Sequence, residues 1–332
     1  MVESAWFVVA IIVVALAFDF TNGFHDTANA VATSVSTRAL SPRLAVLIAS
    51  VANLAGAFVT TAVAKTIGSG IIDLGAITNQ TLLAALLGAI TWNLITWWLG
   101  LPSSSSHALI GGLIGAALAQ AGEDGVLWHG VAHKVVIPAV WAPTIAFAAG
   151  FGILIAIYWV FQWMTPGLAN RAFRLGQLGS GTWVAFTHGA NDAQKTMGVI
   201  AAALAIHGGH PNDLQIDTWV IAASGLAIAA GTYSGGWRIM KTLGQRVYQM
   251  EPPSGFASQV TAGAVIYAST KYGYPLSTTH VVSGAVLGSG ATKRLSAVRW
   301  GIAGNIVLAW ILTLPAAALV AAGMWFVIEA VF

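Results

Sequence analysis

Charge is confined to short segments of this sequence, and long apolar runs separate them. The runs lie at about 5–18, 44–64, 82–99, 108–121, 135–161, 182–206, 218–237, 257–270, 281–291 and 300–328. Several reach the ~20 residues that a helix needs to cross a bilayer. Only 8% of the 332 residues are Asp, Glu, Lys or Arg, against 57% hydrophobic, whereas a soluble chain carries about 25% charged residues. A soluble fold of this size would strand much of that apolar surface in water. The runs are continuous and do not alternate, which excludes a transmembrane β-barrel. An all-α polytopic membrane protein is expected, with roughly ten crossings and no sizeable soluble domain. The apolar N-terminal stretch lacks a positive leading segment and reads as a first span, not a cleaved signal. Zero cysteines exclude disulfides and thiolate chemistry. A net charge of +3 with no basic face excludes a nucleic-acid binder.

The position of each charge sets the path of the chain. One group of polar segments is basic: Arg38 and Arg43; Arg171 and Arg174; Arg238, Lys241 and Arg246; Lys293, Arg294 and Arg299, with Glu251 as the one acid among them. The other is acidic: Asp73, Glu123, Asp124, Asp213 and Asp217, with Glu3 and Glu329 near the termini, against Lys65 and Lys134. The positive-inside rule makes the first group cytoplasmic, so the second group and both termini are extracytoplasmic. Segments 82–99 and 108–121 then form a hairpin entering from outside, with its tip at Pro102–Ser106. Segments 257–270 and 281–291 form one entering from inside, with its tip at Pro275–Thr279. Each half contributes two crossings, a hairpin and a third crossing. The odd number of crossings inverts the second half relative to the first, as in many secondary transporters. The expected division is 1–161 for the first repeat, 162–181 for a cytoplasmic connector and 182–332 for the second.

Two internal matches support the repeat. Asn22-Gly23-Phe24-His25-Asp26 pairs with His188-Gly189-Ala190-Asn191-Asp192, and Pro102-Ser103-Ser104-Ser105-Ser106-His107 pairs with Pro275-Leu276-Ser277-Thr278-Thr279-His280. A glycine follows four residues after each hairpin histidine, at Gly111 and Gly284. Outside the loops and termini, the charged residues are Asp19, Asp26, Asp192, Lys195 and Lys271. Ionisable groups at membrane depth are costly and normally mark a site or pathway.

The hairpin tips offer helix N-termini with unpaired N–H groups and a run of hydroxyls, which suits an oxyanion. Capping alone needs only one of those residues. Asp26 with Asn29, and Asp192 with Gln194 and Lys195, form two further clusters. Together with carbonyls unwound near Gly23 and Gly189, they suit a hard cation such as Na⁺, or a proton. A bound cation would relieve the repulsion between these carboxylates and an anion, which is the logic of symport. Asp19 lacks a counterpart in the other half and reads as a structural carboxylate. His107 and His280 could donate to the anion or orient a hydroxyl, and His25 beside Asp26 could titrate near neutral pH. Lys271 is expected to reach the cytoplasmic face. His129, His133, His207 and His210 read as solvated loop residues.

At these positions the chain resembles the inorganic phosphate transporter (PiT) family, whose signature is a repeated G-A-N-D motif. Gly189-Ala190-Asn191-Asp192-Ala193-Gln194-Lys195-Thr196-Met197-Gly198 matches the second copy. Gly23-Phe24-His25-Asp26-Thr27-Ala28-Asn29-Ala30 matches the first, with Phe-His in place of Ala-Asn. The hairpin motifs match too, so the resemblance covers both halves. It implies a twelve-helix inverted repeat of bacterial or archaeal type in the cell membrane, with broken helices, phosphate held between the halves and cation-coupled uptake. By the motif match, phosphate would meet Ser104, Ser105, Ser106, Ser277, Thr278, Thr279, Lys195 and Gln194. The cation would couple through Asp26, Asn29, Asp192, Asn191, Asn22 and His25, with His107, His280 and His188 in support. Asp26 and Asp192 would hold the ion if it is Na⁺, and the His25 departure tilts the expectation toward H⁺. No cofactor is implied. The expected partners are inorganic phosphate, free or as a metal complex, the coupling cation and the lipid bilayer, with self-association left open. Alternatives are a sulfate permease of the same fold and a passive anion channel. No hydrolase nucleophile elbow and no nucleotide-binding loop is present, so an enzyme or a nucleotide-driven pump is not expected.

Overall fold

A computed structural model describes residues 5–331; Glu3 lies outside them. Apart from the isolated bridge between Ile72 and Val126, regular structure among the described residues is helical. The first half holds α1 (Ala5–Ser36), α2 (Pro42–Gly56), α3 (Ala62–Ser69), α4 (Asn79–Leu99) and α5 (Ser105–Ala121). A short α6 (Trp128–Gly130) then runs through a π-helical turn (Val131–Val136) into α7 (Ile137–Val160). The second half holds α8 (Pro166–His207), α9 (Thr218–Ser234), α10 (Trp237–Lys241), α11 (Pro252–Lys271), α12 (Thr278–Ala291) and α13 (Trp300–Val331). By length and composition, α1, α4, Trp128–Val160 and α13 can each cross a membrane. Their outward faces are apolar: Leu319 is 76% exposed and Ile311 66%. Trp6, Trp98, Trp159 and Trp163 are also exposed, as suits lipid contact and interfacial anchoring.

One expectation about helix breaks is corrected. The chain does not unwind at Gly23 or Gly189; α1 and α8 pass through both without interruption. The glycines serve close approach between helices. A Cβ on Gly23 would lie 2.4 Å from the Ile228 carbonyl oxygen of α9, and one on Gly189 2.1 Å from the Asn53 carbonyl oxygen of α2. The breaks fall instead between α2 and α3, and between α9 and α10, where Gly235 has a φ of 76° that favours glycine. Residues 161–165 join α7 to α8. Pro166, pre-set for a first helical position, starts the 42-residue α8.

The contacts between halves correspond. Helix α1 packs on α9 as α8 packs on α2, and α5 packs on α13 as α12 packs on α7. The last two contacts use the paired hairpin glycines: a Cβ on Gly111 would lie 2.4 Å from the Leu314 carbonyl oxygen, and one on Gly284 2.5 Å from that of Pro143. At one end of the molecule Arg174 donates to the Thr37 carbonyl, Arg299 to that of Arg246, and Lys293 pairs with Glu251 at 2.5 Å. At the other end Asp73 joins Gly125 through the backbone, and Ile11 near one described terminus shares a core with Ile328 near the other. The hairpin formed by α4 and α5 starts from this acidic end. Its turn at Gly100 (φ 67°) accepts from Thr242 and lies beside Arg238. The hairpin formed by α11 and α12 starts from the basic end. Its turn at Gly273 accepts from Thr66, and Lys134 sits 4.7 Å above the Tyr274 ring. Lys271 is exposed at this second turn, beside the segment carrying Lys65 and Lys134. It therefore does not reach toward the basic end as expected.

Candidate functional site

The two hydroxyl-bearing helix starts meet at the centre of the molecule. Ser104 caps α5 by accepting from the His107 N–H at 3.1 Å, and Ser277 caps α12 by accepting from the His280 N–H at 3.3 Å. These two residues fill the ordinary capping role. The hydroxyls after them face the paired motifs. The Ser105 hydroxyl lies 2.8 Å from Asp26 Oδ2 and 2.6 Å from Asn22 Oδ1, within hydrogen-bond reach of both. Ser106 donates to the Leu276 carbonyl at 3.0 Å, which joins one tip to the other. Thr278 lies 3.4 Å from Asp192 Oδ2, and Thr279 3.5 Å from Asp26 Oδ1. All of these side chains are buried.

The residues on either side of each Asp have corresponding jobs in the two halves. The residue before Asp holds its own hairpin. His25 contacts Thr96 at 3.0 Å and Ser103 at 3.3 Å, while Asn191 donates to Thr270 at 2.9 Å and to the Tyr274 carbonyl at 3.1 Å. The residue three after Asp reaches the other half's hairpin. Asn29 donates to Thr279 at 2.9 Å. Lys195 donates to Ser106 at 2.5 Å, to the Leu276 carbonyl at 3.1 Å and to Asp192 Oδ1 at 2.5 Å. Three acceptors thus use the three donors of a fully buried ammonium. Asp26 is paired in turn with His25 Nδ1 at 2.6 Å. Histidine in place of the motif's asparagine therefore keeps the hairpin contact and adds a partner for the carboxylate.

His188 sits closer to the centre than its supporting role implied. Its Nε2 lies 3.5 Å from Asp192 Oδ2, and Nδ1 contacts Asn53 at 3.0 Å. Asp26, His188 and Asp192 each offer a ligand atom within 4.8 Å of the others, the one such group among the described residues. The side-chain oxygens of Asn29 and Asn191 are buried without a hydrogen-bond partner. This donor set fits a small hard cation.

Gln194 does not join the centre. Its Oε1 accepts from the N–H groups of Val63 and Ala64 at 2.8 and 3.2 Å, capping α3 after the break, and its amide nitrogen donates to the Ala190 carbonyl. His107 and His280 do not reach the hydroxyls with their rings. They meet each other edge to face at 4.7 Å, His280 stacks on Trp310 at 4.0 Å, and Trp310 donates to the Pro102 carbonyl at 3.1 Å. They back the tips by packing. The outer histidines form no metal-binding group among the described residues. Sequence reading passes over Asn53, Thr96, Thr232 and Thr270, which hold the motif helices in place. Asn53, which donates to Thr232 at 2.8 Å, is a polar residue inside an apolar run, and that is the signal that could have found it.

Chemically, two positive helix ends, a lysine and hydroxyl donors face two carboxylates, all of them buried. The arrangement can hold an anion and a cation side by side.

Residues 22–321 match the Phosphate transporter family. The chain is 51% identical over 313 residues to the probable low-affinity inorganic phosphate transporter of Mycobacterium tuberculosis, covering 94% of this chain and 75% of that protein. It is 46% identical over 324 residues to the corresponding protein of Rhizobium meliloti, covering 97% of each. It is 44% identical over 326 residues to that of Bacillus subtilis, covering 98% of each. Among solved structures, the sodium-dependent phosphate transporter superposes with a TM-score of 0.87 over 98% of this chain and 100% of the other, at 24% identity. That last likeness shows the fold, an all-helical membrane architecture.

Proposed function

The chain belongs to the phosphate transporter family, and from that premise we propose that it carries inorganic phosphate across the cell membrane as a cation-driven symporter. It is a multi-pass membrane transporter and not an enzyme. The observation that carries the reading is the meeting of both hydroxyl-bearing helix starts on the buried group of Asp26, Asp192 and Lys195. Phosphate at this point would replace the contacts that Ser105, Ser106, Thr278 and Thr279 now make with Asp26, Asp192 and the Leu276 carbonyl. The helix dipoles and Lys195 would favour its charge. A cation held among Asp26, His188 and Asp192 would cancel the carboxylate repulsion, which ties the two loads together. With a divalent ion there, the cargo would be a metal–phosphate complex.

In this reading residues 1–161 and 182–332 are inverted repeats, and both termini are extracytoplasmic. The corresponding interhelical contacts and the shared core of Ile11 and Ile328 support that. Alternating access would follow from one hairpin leaving the centre at a time, breaking Ser106 from Leu276.

Competition tests the substrate. In proteoliposomes, phosphate exchange should be inhibited by unlabelled phosphate and little affected by equal sulfate. Hydrogen phosphate can donate to Asp26 or Asp192, and sulfate has no proton to donate. Equal inhibition by sulfate would favour a sulfate permease. A second expectation separates capping from binding. Ser104→Ala should lower stability by about 1 kcal/mol through the lost cap. Ser105→Ala should instead weaken phosphate affinity by about tenfold, the worth of one hydrogen bond to a charged group, with thermal unfolding little changed. Affinity changes of equal size in both variants would count against the assignment.

A further inference from the structure

Three carboxylates lie at the depth of the centre, and two of them have partners in the chain. Asp192 is paired with Lys195 and Asp26 with His25. Asp19 is not paired. It is 0% exposed, and neither carboxylate oxygen has a hydrogen-bond partner. An ionised carboxylate buried in this way costs several kcal/mol or more unless something neutralises it. Thr196 of α8 and Asn22 of its own helix approach it, but both are neutral, and no cation pairs with it.

Its surroundings are built for a movable neutralising charge. Asn22 and Thr196 are its polar neighbours. The Asn22 amide nitrogen and the Thr196 hydroxyl are themselves buried without partners. The charges that act on Asp19 are Asp192 and Lys195 of α8, and Lys195 is already saturated by three acceptors. Helices α4 and α9 carry no Asp, Glu, Lys or Arg. The charges of α10, Arg238 and Lys241, lie beyond the contact of Gly236 with Phe24, on the basic side. Asp19, Asn22, Asp26 and Asn29 repeat at helical spacing and form one stripe of α1. Asp19 stands about 10 Å from Asp26 along that stripe, toward the acidic end of the molecule.

The device is present on one side only. In the motif alignment the counterparts of Asp19 and Thr196 are Ala185 and Ala30, both buried alanines. A structural requirement of the repeat would appear in both halves. A group that loads a cation from one face need not.

We propose that Asp19 is the proton-carrying group of the transporter, a site distinct from the Asp26–His188–Asp192 group. This rests on the reading of the chain as a cation-coupled phosphate symporter. A proton from the extracytoplasmic water forms an O–H bond on the Asp19 carboxylate and makes the buried group neutral while phosphate occupies the centre. The bond breaks when the centre opens to the cytoplasm, where the proton leaves with the phosphate. Phosphate itself is not altered.

The test compares wild type with Asp19→Asn in proteoliposomes by two readouts: phosphate accumulation driven by an imposed pH gradient, and phosphate exchange with no gradient. Asp19→Asn keeps the shape of the site and removes the ionisable group. Gradient-driven accumulation should be lost while exchange remains near the wild-type rate. Accumulation like that of wild type overturns the proposal. Loss of both activities in a folded variant overturns it as well, because Asp19 would then be needed for carriage itself. If Asp19→Asn does not reach the membrane, Asp19→Glu decides. It should still accumulate phosphate and should shift the pH of half-maximal uptake; an unchanged pH profile refutes the assignment. Wild type that exchanges phosphate but ignores the pH gradient refutes the proton site and leaves phosphate transport standing. Wild type that exchanges no phosphate refutes both.

Discussion

Asp192→Asn should abolish phosphate uptake, by a factor of several hundred or more, and the reason is electrostatic. The substitution removes the carboxylate that Lys195 meets at 2.5 Å, inside a region where both side chains are 0% exposed. Leaving one member of a buried pair alone costs about 3–5 kcal/mol. Part of that cost would appear as lower stability, so the single variant mixes folding with transport. The double variant Asp192→Asn with Lys195→Met separates them. Removing both charges relieves the burial penalty and should restore the folded yield, measured by gel filtration in detergent. Uptake should stay absent, because the carboxylate for the cation and the ammonium for the anion are both gone. Recovery of uptake along with yield would mean that the pair only holds the helices together.

The second large effect concerns packing. Gly189→Val should eliminate the folded protein, because its Cβ would fall 2.1 Å from the Asn53 carbonyl oxygen and 2.5 Å from the Asn53 Cα, and that backbone belongs to α2. Relief would need α2 and α8 to separate, breaking the His188–Asn53 contact beside the centre. Gly304→Ala is the matched control, since a Cβ at that point of α13 would meet nothing within 4 Å. It should be neutral or stabilising by up to about 1 kcal/mol, as for glycine replaced inside a helix. Membrane yield and thermal unfolding of the two variants check this. Tolerance of Gly189→Val would restore the expectation that the chain unwinds there.

These glycines also mark the limit of what the sequence conveys. Charge placement and motif order are one-dimensional signals, and they need no knowledge of which helices touch. The basic segments gather at one end, and the paired motifs meet. Whether Gly189 unwinds a helix or admits a neighbouring one depends on where α2 lies, which no local pattern encodes. The direction of the Gln194 side chain is hidden for the same reason. The residue stands in the motif beside Lys195, but its position on α8 turns it toward the start of α3. His188 reads only as a supporting residue because its partner, Asn53, is distant in sequence and comes from the other half. Asp19 reads as structural because it has no counterpart, and its burial without an ion-pair partner is visible only in three dimensions.

The central claim is that the buried meeting point of the two halves binds phosphate and a cation together. The most direct measurement is labelled phosphate uptake into proteoliposomes of purified wild type and Asp26→Asn, with Na⁺ and pH gradients imposed separately. Wild type should concentrate phosphate under at least one of these gradients and only equilibrate it without them, and Asp26→Asn should fail to concentrate it under either. Concentration by Asp26→Asn at the wild-type level, or wild-type phosphate flux that follows only its own gradient, would contradict the account.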